Sequence, residues 1–357
     1  MTRATRAEIN LSALRHNLEV ARSHSEAKQM AIIKANGYGH GIVEVARALS
    51  KADGFGVATI NEAITLRESG VYQPILLLEG FNRPEDLVLI HAYDLDCGIH
   101  NEEQVAIIEK YATENIKVWL KIDTGMHRLG FAPEQGNSIH QRLTAIKKVQ
   151  QPITMMTHFA CADDRNSNYT AQQLSQFEEV TSDYTPAQKS LANSAGLLGW
   201  PDTHADWVRP GIMLYGSTPF VNGSAKEHDL QPVMTLKSEI IAIHSFKKGD
   251  SIGYGQSYVC ERDMPVATIA IGYGDGYPRH ATNGTPVLVN GKQVPLVGRV
   301  SMDMITADIS SVKKVKVGDE VTLWGEGLPV ELIAEKARTI SYELFCGITQ
   351  RVKFFYS

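Results

Sequence analysis

The 357-residue sequence has only four cysteines, Cys97, Cys161, Cys260 and Cys346, far apart and without a C-x-x-C pair. That usage argues against a disulfide framework or a structural zinc site and fits a reducing compartment. In such a compartment the N-x-T matches at Asn168 and Asn283 are chance. No apolar run approaches membrane-spanning length. The opening segment MTRATRAEINLSALRHNLEV lacks an apolar h-region and a small-residue cleavage site, so no signal peptide and a cytoplasmic location are expected. There is no basic block or stripe, and the formal net charge is -5, which argues against nucleic-acid and membrane-surface partners. G-x-x-x-x-G-K-[ST], G-x-G-x-x-G and H-E-x-x-H are missing too, so neither a nucleotide loop nor a metal site is expected.

What is present is an ordinary globular composition, 43% hydrophobic and 21% charged, in a length that suits two domains. Between residues 28 and 215 short apolar runs alternate with amphipathic ones. The runs are KQMAIIKA, GFGVATI, PILLLEG, LDCGIH, IKVWLKID, PITMMTHFA, QKSLAN and DWVRPGI. Helical patterns such as NEAITLRESG and NEEQVAIIEKYA lie between them, with Asn61 and Asn101 where N-caps belong. Eight βα units predict an α/β fold, a TIM-like (β/α)8 barrel over residues 1–231. After the polar stretch STPFVNGSAKEHDLQP, closely spaced strand patterns predict a mainly β C-terminal domain over 232–357. Asn290-Gly291 signals a type I′ hairpin. VKVGDEVTLWG reads as two strands across Gly318-Asp319, and PVELIAEKA as one helix.

Catalytic groups of a βα barrel gather at the C-terminal ends of its strands. AIIKANGYGHG puts Lys34 at the first such end, before a glycine-rich loop. Alone, Lys34 reads first as a strand-end lysine with its head in water; the sharper alternative is a buried amine able to lose its proton and act as nucleophile or base. Arg128 follows the fifth strand, His158 the sixth, Ser194 the seventh and Arg209 the eighth. Each could be a surface or core residue by itself, but unrelated residues would scatter to both ends of a barrel. Gly211, Ile212 and the helix starting near Ser194 could offer backbone N–H groups to a phosphate, a common use of the last two loops of this fold. A lysine beside a phosphate-anchored aromatic cofactor suggests pyridoxal 5′-phosphate.

Taken together, AIIKANGYGHG, LKIDTGMHRLG, THFACAD, ANSAG, RPGIMLYG, IGYGQSY, IGYGDGYPR, VGRVSMDM and SYELFCGI resemble the bacterial alanine racemase family, in order along nearly the whole chain. The resemblance implies a fold-type III pyridoxal-phosphate enzyme that interconverts L- and D-alanine as a homodimer with shared active sites and supplies D-alanine for peptidoglycan. It implies Lys34 as the Schiff-base lysine and the base on the D-alanine side, and Tyr254, from the other subunit, as the base for L-alanine. Arg128 would lie near the cofactor's phenolic oxygen and the substrate carboxylate, which the backbone of Met302 would also meet. Tyr38, Ser194, Gly211, Ile212 and Tyr342 match phosphate-binding positions. Arg209 matches the arginine facing the pyridine nitrogen, with His158 behind it. Tyr273 and Arg299 match the substrate entryway, and Lys121 a lysine carbamylated in some members. Ser301 departs from the cysteine of many relatives, at a position that carries no proton. A racemase for serine or a basic amino acid, a decarboxylase of the same fold, and a non-catalytic cofactor carrier are the alternatives. Arg209 speaks against the decarboxylase, and Tyr254 with Met302 against the carrier.

Overall fold

The computed structural model describes residues 4–182, 188–221 and 223–357. Residues 1–3 of the opening segment and residue 222 of the polar stretch lie outside it. The described chain forms two compact units. One comprises Arg15–Leu214 with Thr218–Asp229; the other comprises the segment up to Leu14, Tyr215–Ser217 and Leu230–Ser357.

The first strand, β1 (Arg6–Ile9), belongs to the second unit. The first unit is a closed parallel barrel. Its strands are β2 (Lys28–Ile32), β3 (Gly54–Val57), β4 (Ile75–Leu77), β5 (Leu95–Ile99), β6 (Lys117–Lys121), β7 (Thr154–Met156), β8 (Gln188–Ser190) and β9 (Trp207–Val208). These are the eight apolar runs of the sequence. β9 closes on β2 with Lys28 opposite Trp207 and Gln29 opposite Val208. Most barrel strands are buried along their whole length, as parallel strands covered on both faces must be, and so their sequences read as continuous apolar runs. The connecting helices are capped by local chemistry. Asn101 caps Glu102–Tyr111 by accepting from Gln104 N at 2.8 Å. Asn61, in contrast, lies inside the helix Ile60–Glu68. The cap there is Thr59, in a reciprocal box with Glu62, because a Thr-x-x-Glu pair satisfies two terminal N–H groups where Asn61 would satisfy one. Part of the polar stretch, Thr218–Asp229, packs with the barrel unit and carries a short 3-10 turn, Ala225–His228.

The second unit is mainly β. Its strands are β1, β10 (Met234–Phe246), β11 (Ser251–Ile252), β12 (Tyr258–Val259), β13 (Met264–Ile269), β14 (Pro286–Val289), β15 (Lys292–Pro295), β16 (Ile305–Asp308), β17 (Glu320–Trp324) and β18 (Lys353–Tyr356). One sheet runs β15-β14-β17-β10-β1-β18, with β13 joined to β10 and β16; β11 and β12 form a separate pair. The β14–β15 hairpin turns on Asn290 and Gly291 with φ of 50° and 74°, the two positive values of a type I′ turn. The stretch before β17 is a turn and not a strand. Asp319 Oδ2 accepts from Lys316 N at 3.0 Å, and this local bond competes with a sheet ladder. Val330–Ala337 is the expected helix.

Candidate active site

The barrel unit brings the candidate residues of its own five loops to one end. β2 stops at Ile32, and Lys34 opens a tight turn, two residues past the strand. Ala35, Asn36, Gly37 and Tyr38 all have φ between 48° and 62°, a left-handed stretch that side chains with a Cβ resist. Specific bonds hold it. Glu62 Oε1 accepts from Ala35 N at 2.7 Å, Asn36 Oδ1 accepts from Ile42 N at 3.0 Å, and Gly39 N donates to Ala35 O at 2.9 Å. Lys34 itself is half-buried.

Arg209, just past β9, is 3% exposed and has no carboxylate among its hydrogen-bond partners. Its guanidinium donates to Ser190 Oγ at 2.7 Å, Thr157 O at 2.6 Å, Leu191 O at 3.1 Å and His158 Nδ1 at 3.4 Å. Burial lowers its pKa to about 10, so it remains a cation at neutral pH. His158 is held well below its ordinary pKa by burial and then by Arg209, Lys121, Arg128 and Lys34. A neutral imidazole results, with Nδ1 placed to accept from Arg209. Lys121 ends β6, and its pKa falls to about 8, through burial first and then Arg209, Arg128 and Lys34, with Asp123 opposing. Four cations therefore face one another. Such a concentration of like charge costs free energy unless an anion joins it.

A corner of the same unit suits a phosphate. Ser194 Oγ accepts from Gly211 N at 2.8 Å. A Cβ on Gly211 would lie 2.9 Å from Tyr38 Oη, so only glycine lets the Tyr38 hydroxyl come this close to the backbone. Ile212, fully buried, begins the turn Ile212–Tyr215. Two hydroxyls and a glycine backbone thus meet, with the cations of the same mouth to balance charge.

The remaining candidates lie on the β unit. Tyr254 is 70% exposed and Met302 53%. Tyr273 N donates to Ser301 O at 3.1 Å and Gly274 N to Met302 O at 2.8 Å, which joins the Tyr273 turn to the Met302 loop. A Cβ on Gly255 would lie 3.5 Å from the Arg299 guanidinium, so Tyr254, Arg299, Met302 and Tyr273 share one region. Tyr342 is in the helix Ser341–Cys346. Reading the sequence missed Ser190, Thr157 and Glu62, which hold the reactive groups. The signal for Glu62 was visible in the Thr59-Ile60-Asn61-Glu62 box; Ser190 and Thr157 gave none.

A closed parallel barrel and a mainly β unit, with Lys34, Lys121, Arg128 and Arg209 gathered about His158 at the barrel mouth, place the chain among two-domain barrel enzymes. The sequence matches the model of the family described as "Alanine racemase, N-terminal domain" over residues 9–219 and that of "Alanine racemase, C-terminal domain" over 233–356. It is 51% identical to alanine racemase of Coxiella burnetii (strain RSA 331 / Henzerling II), covering 99% of both chains. It is 50% identical to alanine racemase of Shewanella sp. (strain MR-7), covering 97% of both. The crystal structure of biosynthetic alanine racemase from Pseudomonas aeruginosa superposes with a TM-score of 0.97 at 44% identity over 99% of each chain. The chain belongs to the alanine racemase family, and is an enzyme of the isomerase class.

Proposed function

We propose that this protein interconverts L- and D-alanine in the cytoplasm with pyridoxal 5′-phosphate in the barrel mouth, as a homodimer whose sites are shared, and so supplies D-alanine for peptidoglycan. The observation that carries the reading is the mouth itself: Lys34, Lys121, Arg128 and Arg209 face a neutral His158 in the same unit as the Tyr38–Ser194–Gly211 corner. These residues fit the cofactor. Tyr38, Ser194, Gly211, Ile212 and, by family resemblance, Tyr342 would bind its phosphate, and Lys34 would bond its aldehyde. Arg209 would face the pyridine nitrogen. Being charged, it would donate there and leave that nitrogen unprotonated.

When bound, the cofactor withdraws electrons from the substrate and so acidifies its Cα–H. The chain's own residues do the rest. Arg128 and the Met302 backbone would orient the substrate carboxylate. Lys34 Nζ would take or return the Cα proton on one face, and Tyr254 Oη of a second copy on the other. Tyr273 and Arg299 would line the entry, where bulk favours a small substrate. Lys121, partly neutral near pH 8, could take up CO2 and become an anionic partner for Arg128. The test is to incubate purified protein with L-alanine and the cofactor and to separate enantiomers by chiral chromatography. An equal mixture is expected, because enantiomers have equal free energy; absence of D-alanine overturns the proposal.

A further inference from the structure

The helix Tyr169–Thr181 buries one face against the barrel, and Gln173 on that face is 0% exposed. Packing alone would fill such a position with an aliphatic side chain. Instead the amide uses both ends. Gln173 Nε2 donates to Thr124 Oγ1 at 3.3 Å and to His158 O at 3.1 Å, and Oε1 accepts from Ala160 N at 2.9 Å. Thr124 belongs to the loop after β6, which carries Arg128; His158 and Ala160 belong to the loop after β7. The Thr124 and Thr157 hydroxyls join the same two loops at 2.8 Å. One turn earlier on the helix, Tyr169 Oη donates to Gly125 O at 3.0 Å.

We infer that Gln173, with Tyr169 beside it, is a positioning residue that sets the Arg128 loop against the His158 loop and so fixes where a substrate carboxylate docks. The inference rests on the proposed role of Arg128. Arg128 is exposed on a loop of 123–131, and no ion pair of its own fixes it there among the described residues. Its position therefore depends on how the loop base is held, and Thr124 and Gly125 are that base. Asp123 closes the inner side, accepting from Gly125 N at 3.0 Å and His127 N at 2.9 Å. The helix closes the outer side. The Gln173 amide bonds both loops at once and backs the direct Thr124–Thr157 hydroxyl bond, so its loss leaves that single bond between side chains to hold the two loops in register.

The experiment compares Gln173→Leu, Gln173→Glu and Tyr169→Phe with wild type in cofactor-loaded enzyme. It measures alanine kinetics, thermal stability, and the dissociation constant of propionate, a carboxylate without the amino group, read from the cofactor absorbance. Gln173→Leu should raise the propionate Kd and the alanine KM about tenfold or more, since small misplacement of a binding group is costly, with a smaller change in kcat. Gln173→Glu keeps the acceptor for Ala160 N but loses both donors, so it should fall between Leu and wild type. Tyr169→Phe should move Kd in the same direction by a few fold. In an Arg128→Lys background, Gln173→Leu should change propionate Kd by less than about twofold, because coupled residues are not additive. Wild-type Kd and KM in folded variants would overturn the inference, and so would the same loss in the Arg128→Lys background. If Gln173→Leu does not fold, Gln173→Glu and Tyr169→Phe decide it. A wild-type protein that does not racemise alanine overturns the proposed function instead.

Discussion

Lys121 is a costly residue to keep. It ends β6 with 8% of its surface exposed, and its pKa falls from 10.5 to about 8 through burial and then through Arg209, Arg128 and Lys34. The sign follows from proton linkage. The unfolded lysine holds its proton up to about pH 10.5 and the folded one only to about pH 8, so the buried ammonium penalises the fold fully below pH 8 and not at all above 10.5. The penalty is about 3 kcal/mol. Lys121→Met should therefore raise the urea midpoint of the cofactor-free protein at pH 7 in carbonate-free buffer, and the gain should shrink between pH 8 and 10.5. A loss of stability at pH 7 would show that the ammonium finds more stabilisation than its neighbours allow. The residue types and their loop assignments were legible in the sequence, because strand order alone sends Lys34, Arg128, His158, Ser194 and Arg209 to one end of a barrel. Burial was not legible: Lys34 is half-buried while Arg209 is sealed in, and both follow apolar strands.

The turn after β2 shows an element held by its surroundings more than by its own preferences. Ala35, Asn36 and Tyr38 in the left-handed region cost on the order of 1–3 kcal/mol each. His40, at the end of the turn, is fully buried, with Nδ1 2.8 Å from Tyr38 O. Burial lowers its pKa to about 4. Between pH 6.5 and 4 the unfolded chain gains a proton there that the folded chain does not, so stability falls with pH across that window, by up to about 3 kcal/mol at its lower end. His40→Gln should flatten this part of the profile of urea midpoint against pH, whatever it does to stability at pH 7; an unchanged slope would assign the acid sensitivity elsewhere. The barrel strands could be read from their apolar runs, most clearly where burial on both faces leaves a continuous signal; β8, Gln188–Ser190, is half-buried and lay in a weaker run. β1 could not. RAEI alternates, too briefly to stand out, and its partners β10 and β18 are remote in sequence. The missing strand before β17 failed for the opposite reason, a local Asp319 bond that a strand pattern does not encode.

At the scale of the whole molecule, the β unit exposes large apolar side chains in the region of Tyr254: Met302, Met304 at 42% and Tyr273 at 39%. Covering such groups would remove apolar surface from water, as the proposed homodimer would do. That supports the sharing of sites between two copies. A Lys34→Ala chain mixed with a Tyr254→Ala chain should regain activity under subunit exchange, because one site of the heterodimer then has both bases. Demonstrated exchange without recovery would rule against sharing. The placement of β1 between β10 and β18 has another consequence, for the order in which the protein is made. The whole barrel segment leaves the ribosome before β10 exists, and β18 emerges later still. β1 therefore waits through most of translation with both edges unpaired, while the barrel that follows it in the chain can already close. Its alternating Arg6 and Glu8 keep charge along that waiting strand, which discourages pairing with neighbouring nascent chains. The central part of the sheet is thus complete only once β18 has been made, after the whole barrel segment.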